Sequence, residues 1–248
     1  MSVPDTGLST RLALLHAHLA ARSGAAGADP AHDWQHVLRV SATARHLATA
    51  EGADVETVVA AALCHELFNY PKDHPDSARS GAVCAEHAAT LLTDLDWPSD
   101  SISAVADCIR VHGFSAGLAA GTLEARILQD ADRLDAIGAI GIARCFATCS
   151  SMGRPFYDPE DPFCTERVPD DQAWGLDHFY RKLLRIPERL HTASAKAMAA
   201  ERLRFMEAFL LQLGREIGTE WPDQGVSSEA TASTLMDFDG QLRAAIST

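Results

Sequence analysis

V-V-A-A-A-L-C-H-E-L, residues Val58–Leu67, is the stretch from which the rest of the chain is read. An unbroken apolar run leads straight into an imidazole and a carboxylate, His65 and Glu66. A helix apolar on every side is one that lies buried on every side. Burying His65 and Glu66 at its end is costly unless a metal ion, hydrogen bonds or both satisfy them. Asp54 is placed to cap the start of this helix, and Asn69, Tyr70 and Pro71 end it, so the pair lies near a helix terminus.

Working outward, every neighbouring segment shows helical periodicity. Gly7–Arg22 carries Leu8, Leu12, Leu15 and Leu19 on one face. Ala31–Glu51 carries Val37, Val40, Ala44 and Leu47 and is stopped by Gly52. Ser77–Asp94 and Ser99–His112 are separated by the Asp96–Pro98 break, and a glycine-rich loop, Gly113–Gly121, follows. Thr122 caps a sixth helix with Ile127, Leu128, Ala131 and Leu134 inside and Asp130, Asp132 and Asp135 along it. Ala136–Ser150, Gln172–Leu190 and Ala193–Ile217 read as further helices, with an aperiodic proline- and acid-rich loop at Met152–Asp171. No period-two segment stands out and no internal repeat occurs. The fold class expected is all-α, a helical bundle forming one domain over 1–218 (core about 29–217), with 219–248 as linker and short C-terminal helix.

Composition narrows the function. The chain has 248 residues, 47% of them hydrophobic, enough for a sizeable core. Its net charge of −13 argues against sequence-independent nucleic-acid binding and against an anionic membrane surface, both of which need a basic face. No apolar run approaches the roughly 20 residues that span a bilayer, and the expected location is the cytoplasm. Cys64, Cys84, Cys108, Cys145, Cys149 and Cys164 include no C-x-x-C pair and are expected to be reduced, with the helical ones buried as small hydrophobes.

Three predicted helices then bring four ligand-type side chains within reach of one another: His36, His65 with Glu66, and Asp132. Two imidazoles and two carboxylates suit Mn²⁺, Mg²⁺, Fe²⁺ or Zn²⁺ better than copper or a thiolate site. The adjacent pair, about 100° apart around a helix, can chelate one ion.

The order His36, His65–Glu66, Asp132 resembles the HD-domain phosphohydrolase superfamily, whose pattern is H…HD…D on a helical bundle. H-D-W-Q-H-V-L-R-V (His32–Val40), P-K-D-H-P (Pro71–Pro75), I-L-Q-D-A-D-R-L-D-A-I-G-A-I-G-I-A-R (Ile127–Arg144), D-P-E-D-P-F (Asp158–Phe163) and L-D-H-F-Y-R-K-L-L (Leu176–Leu184) look like its stand-alone YedJ-like branch. The resemblance implies that His36, His65, Glu66 and Asp132 hold one divalent metal, most often Mn²⁺. It also implies a nucleotide substrate, a nucleoside triphosphate cut to monophosphate and pyrophosphate by a metal-activated water. Lys72 and Arg79 match basic positions of the family, and His74, His112, Arg133 and Arg154 complete the residues expected to meet phosphate. His112 is suited to orienting a phosphate or protonating a leaving group, and Asp33, one turn from His36, to contacting the metal water or orienting a ligand.

The departure from the family pattern is Glu66 where an aspartate is expected, one methylene longer. Two alternative functions follow. His87 and His112 stand in the order of the extra histidines of dinuclear relatives, as in a di-iron oxygenase or phosphodiesterase. Alternatively, Glu66 leaves a nucleotide-binding sensor without turnover. His32 and His36, spaced i, i+4, superficially match a zinc-peptidase pair, but the acid between them is aspartate and His32 sits beside Pro30.

Overall fold

The computed structural model describes residues 9–22, 33–71, 74–113 and 119–222. Those residues are helical or irregular, with no strand among them, so the chain is all-α. The helices are α1 (Thr10–Arg22), α2 (Trp34–Glu51), α3 (Val55–Cys64), α4 (Ser80–Asp94), α5 (Ser99–His112), α6 (Leu123–Asp135), α7 (Gly138–Ser151), α8 (Asp177–Arg181) and α9 (Ala193–Ile217). Of the expected features, His32, Lys72 and the final helix lie outside the described residues. None of the described helices is long and apolar enough to cross a membrane.

The described residues fall into two compact units, one within Met1–Asp135 and Arg189–Ala197, the other within Ala136–Glu188 and Met198–Thr248. In the first, α3 is the central element. Residues Thr57 to Cys64 are all buried, and α1, α2, α5 and α6 pack around them. Small side chains at Ala60, Ala61 and Ala62 let the surrounding helices come close. Its start is capped by Asp54, which accepts from the Glu56 amide (3.0 Å) and the Thr57 hydroxyl (2.6 Å). Its end stops at Cys64, and His65, at φ −66° and ψ −15°, begins a turn.

Neighbouring helices are bounded by equally local chemistry. Asp33 caps α2 by accepting from the His36 amide (2.9 Å), and Gly52 ends it at φ 73°, a left-handed conformation that glycine adopts without strain. Thr122 caps α6 through the Ala125 amide (3.1 Å). Packing of α4 on α5 depends on Gly81, where a Cβ would stand 2.6 Å from the Arg110 carbonyl oxygen. We expect Gly81→Ala to force the two helices apart and lower stability by about 1–3 kcal/mol, read from thermal unfolding. An unchanged melting temperature would show that the pair can slide.

In the second unit the predicted helix over Gln172–Leu190 is not continuous. The chain is irregular up to Leu176, forms α8 for five residues, and then runs through a 3-10 segment at Leu183–Arg189 that contains Pro187. Tertiary bonds prevail over local propensity here. The fully buried Asp177 carboxylate accepts from the Arg167 guanidinium and from the Asp170 amide. Gly175 and Leu176 donate to the Pro155 and Phe156 carbonyls, which draws residues 170–176 into a loop–loop pairing. Cys145 and Cys149 are buried and free, as expected of core thiols.

Candidate metal centre

The first unit gathers one group of three or more metal-ligand side chains among the described residues: His36 from α2, His65 from the end of α3 and Asp132 from α6, with all three ligand atoms within 4.8 Å of one another. His36 Nε2 lies 3.2 Å from His65 Nε2 and 3.6 Å from Asp132 Oδ1. Glu66 turns its carboxylate toward the same point, with Oε1 3.9 Å from His36 Nε2 and 3.8 Å from His65 Nε2. Both histidines are 1% exposed, whereas the Asp132 side chain is 27% exposed, so the site opens to solvent on the Asp132 side.

Hydrogen bonds determine which ring nitrogens face inward. His65 Nδ1 is 2.6 Å from the Ala62 carbonyl oxygen; a carbonyl only accepts, so Nδ1 carries the proton. His36 Nδ1 donates to Asp135 Oδ2 at 2.8 Å. Neutral, the two rings oppose bare Nε2 lone pairs 3.2 Å apart with carboxylates alongside, an electron-rich arrangement that fits a divalent cation. Two neutral imidazoles and two carboxylates would match its charge. Burial pushes the His65 pKa down to about 4, with the neighbouring His112 and His36 adding to the effect against Asp132 and Glu66, so the ring stays neutral and ready to ligate.

Behind His36 stands a charged pair, Asp135 and Arg39, that lies outside the H…HE…D order. Asp135 accepts from His36 and from Arg39, whose Nε and Nη2 reach its two oxygens at 2.7 and 3.0 Å. Burial works to raise the Asp135 pKa, but the bonds and charges of His36 and Arg39 outweigh it and hold it at about 2. A carboxylate behind a ligating histidine fixes its tautomer and raises its basicity. The signal was present as spacing: Asp135 is i+3 from Asp132, and Arg39 is i+3 from His36. We expect Asp135→Ala to weaken metal binding by about 10–100-fold by calorimetric titration. Full-strength binding would reduce Asp135 to a packing role.

The other expected residues fall as follows. His112 sits edge-on to His65, ring centroids 5.5 Å apart, and donates from Nδ1 to the Ile109 carbonyl, which leaves Nε2 as its other polar atom. Asp33 has its carboxylate on the His36 amide, as the α2 cap. His74 stacks on Tyr70 at 4.5 Å and accepts the Asp76 amide proton at Nδ1. Arg79 is exposed and pairs with Asp76 at 3.7 Å. Exposed His87 stacks on Phe68 and is not part of the metal-ligand group. Arg133 turns to Gln129, the Arg189 carbonyl and His191. Arg154 belongs to the second unit, where it donates to the Asp171 carbonyl and the Gln172 side chain.

Comparison with known proteins agrees with this geometry. Residues 33–137 match the model of the HD domain. The chain is 33% identical over 190 residues to the uncharacterized protein YpgQ of Bacillus subtilis (strain 168), covering 75% of this chain and 84% of that one. The crystal structure of Bacillus subtilis YpgQ in complex with ADP superimposes with a TM-score of 0.64 at 29% identity, covering 83% of this chain and 94% of that chain. An HD-superfamily hydrolase from Bacillus thuringiensis does so with a TM-score of 0.63 at 29% identity, covering 85% and 96%.

Proposed function

Since the chain belongs to the HD-domain family, we propose that it is a divalent-metal-dependent phosphohydrolase acting on nucleotides, cutting a nucleoside triphosphate to monophosphate and pyrophosphate. The observation that carries this reading is the convergence of His36 Nε2, His65 Nε2, Asp132 and Glu66 on one point, with both imidazole tautomers set by outer bonds. The ADP complex of YpgQ supports a nucleotide as ligand class. A divalent ion held by His36, His65, Glu66 and Asp132, Mn²⁺ being the first choice, would supply charge neutralisation at a phosphate oxygen and lower the pKa of a water so that hydroxide is available to attack phosphorus.

The chain's own groups do the positioning. His36 and His65 present lone pairs at fixed orientation, and Arg39 with Asp135 keeps the His36 proton on Nδ1. His112 Nε2 is the group for a phosphate oxygen or leaving group beside His65, and Arg79, with Lys72 also close behind the pair in sequence, supplies positive charge for the substrate.

The test is a product assay on protein stripped of metal, re-supplied with Mn²⁺ and offered ribo- and deoxynucleoside triphosphates, scoring pyrophosphate and orthophosphate separately. Pyrophosphate with monophosphate is the expected result; no turnover across the panel overturns it. Glu66→Asp is expected to lower activity by shortening a ligand already seated among its partners. A gain in activity would point instead to a sensor weakened by glutamate.

A further inference from the structure

Beside the metal-ligand group, α6 turns a second face toward the segment that enters α9. Arg126, Gln129 and Arg133 follow at i, i+3 and i+7 on that face, and Asp132 is the immediate neighbour of Arg133. Arg133 Nη1 donates to the Arg189 carbonyl (2.6 Å) and Nη2 to Gln129 Oε1 (2.9 Å). Gln129 Nε2 donates to the Val111 carbonyl (2.6 Å), which settles which end of the amide is oxygen. His191 Nε2 then lies 2.8 Å from that oxygen and 3.1 Å from Arg133 Nη1.

These contacts cannot all be satisfied at once. With a proton on Nε2, His191 donates to Gln129 but meets the guanidinium donor-to-donor. Without one it accepts from Arg133, but its lone pair meets the amide oxygen. Arg133 Nε is also buried with no hydrogen-bond partner. Burial, and then the positive charges of Arg133, Arg126 and Lys196, lower the proton affinity of His191 against the pull of Asp130. Asp130 is already engaged, accepting from the His191 and Thr192 amides and the Thr192 hydroxyl. Arg126, two turns before Arg133 on the same face of α6, donates from Nε to the Ala120 carbonyl (3.2 Å), and Lys196 stands in the first turn of α9, five residues after His191. Donors facing donors beside these further cations, in a chain of net charge −13, are what an anion would relieve.

We propose that Arg126, Arg133, His191 and Lys196 form an anion site for the phosphoryl group adjoining the one at the metal centre, so that together the two grip a diphosphate-length ligand. Gln129, one turn before Asp132 on α6, bonds the Val111 carbonyl next to His112, and this ties the cluster to the helix ends that carry the metal-ligand group. The assignment of that ligand as a nucleotide rests on the phosphohydrolase reading; the anion site does not require turnover.

The test uses the full chain with metal removed and inorganic pyrophosphate as the calorimetric probe. Wild type is compared with R126E/K196E and with R204E/R215E, which makes the same charge change at exposed positions on the later part of α9. Pyrophosphate is expected to bind wild type and R204E/R215E alike and R126E/K196E about tenfold or more weakly. On the metal-loaded enzyme, R126E/K196E should raise KM for a triphosphate about tenfold with kcat within about twofold. Equal binding by all three proteins, or none by wild type, overturns the anion site, even if nucleotides are hydrolysed. Selective loss of pyrophosphate binding without turnover of any nucleotide keeps the anion site and rejects the phosphohydrolase reading.

Discussion

Asp132→Ala is expected to remove the bound divalent ion and lower nucleotide hydrolysis by about 10³-fold or more. Metal-ion stabilisation of a phosphoryl-transfer transition state amounts to several kcal/mol, and each 1.36 kcal/mol is a factor of ten. Asp132 is the most solvent-open of the ligand-type groups, and its Oδ1 lies 3.6 Å from His36 Nε2, so truncation opens the site without hollowing the core. Folding should therefore survive while metal content, read by elemental analysis of purified protein, falls together with activity. His36→Ala should give the same loss of activity with an added stability cost, because it leaves Asp135 buried with Arg39 as its remaining charged partner. Full activity in Asp132→Ala would reject the single-site reading, as would a full complement of tightly bound metal.

Asp177→Ala is expected to be the most damaging substitution for stability away from the metal centre. Its carboxylate is fully buried and takes hydrogen bonds from Arg167 Nη1 and Nη2 and from the Asp170 amide. Removing it leaves a guanidinium and a backbone amide short of their acceptor, and losing one partner of a buried ion pair costs about 3–5 kcal/mol. Arg167 retains Asp158 at 3.1 Å and the Asp161 carbonyl, so the lower end, about 3 kcal/mol, is expected. That corresponds to a fall of about 6–12 °C in melting temperature for a chain of this size. Residues 158–177 should become sensitive to limited proteolysis at the same time. A shift below about 2 °C would mean that Arg167 and the Asp170 amide find other acceptors.

Much of the helical framework was legible because its signals are local. Asp54, Thr122 and Gly52 act at helix ends where the sequence placed them, and Ser99–His112 and Ala193–Ile217 match their expected bounds. The expected bound failed where local pattern met long-range bonding. Gln172–Leu190 has helical periodicity, yet the capture of Asp177 by Arg167, the pairing of residues 175–176 with 155–156, and Pro187 divide it. The ligand-type residues were recognisable as an order, a histidine, a histidine–glutamate pair and an aspartate, because metal chemistry restricts residue type more than position.

By itself, then, the sequence determined an all-α chain with α3 buried at its centre and an imidazole–carboxylate pair at that helix's end, since apolar periodicity, caps and breakers are properties of neighbouring residues. Only the tertiary structure decided that His36 Nδ1 is held by Asp135 and Arg39, and that Gln129, Arg133 and His191 meet with mismatched donors. His36 and Asp135 are 99 residues apart, and Gln129 and His191 are 62 apart. A hydrogen bond between them depends on how helices pack and on which ring nitrogen turns inward, and neither leaves a periodic trace along the chain.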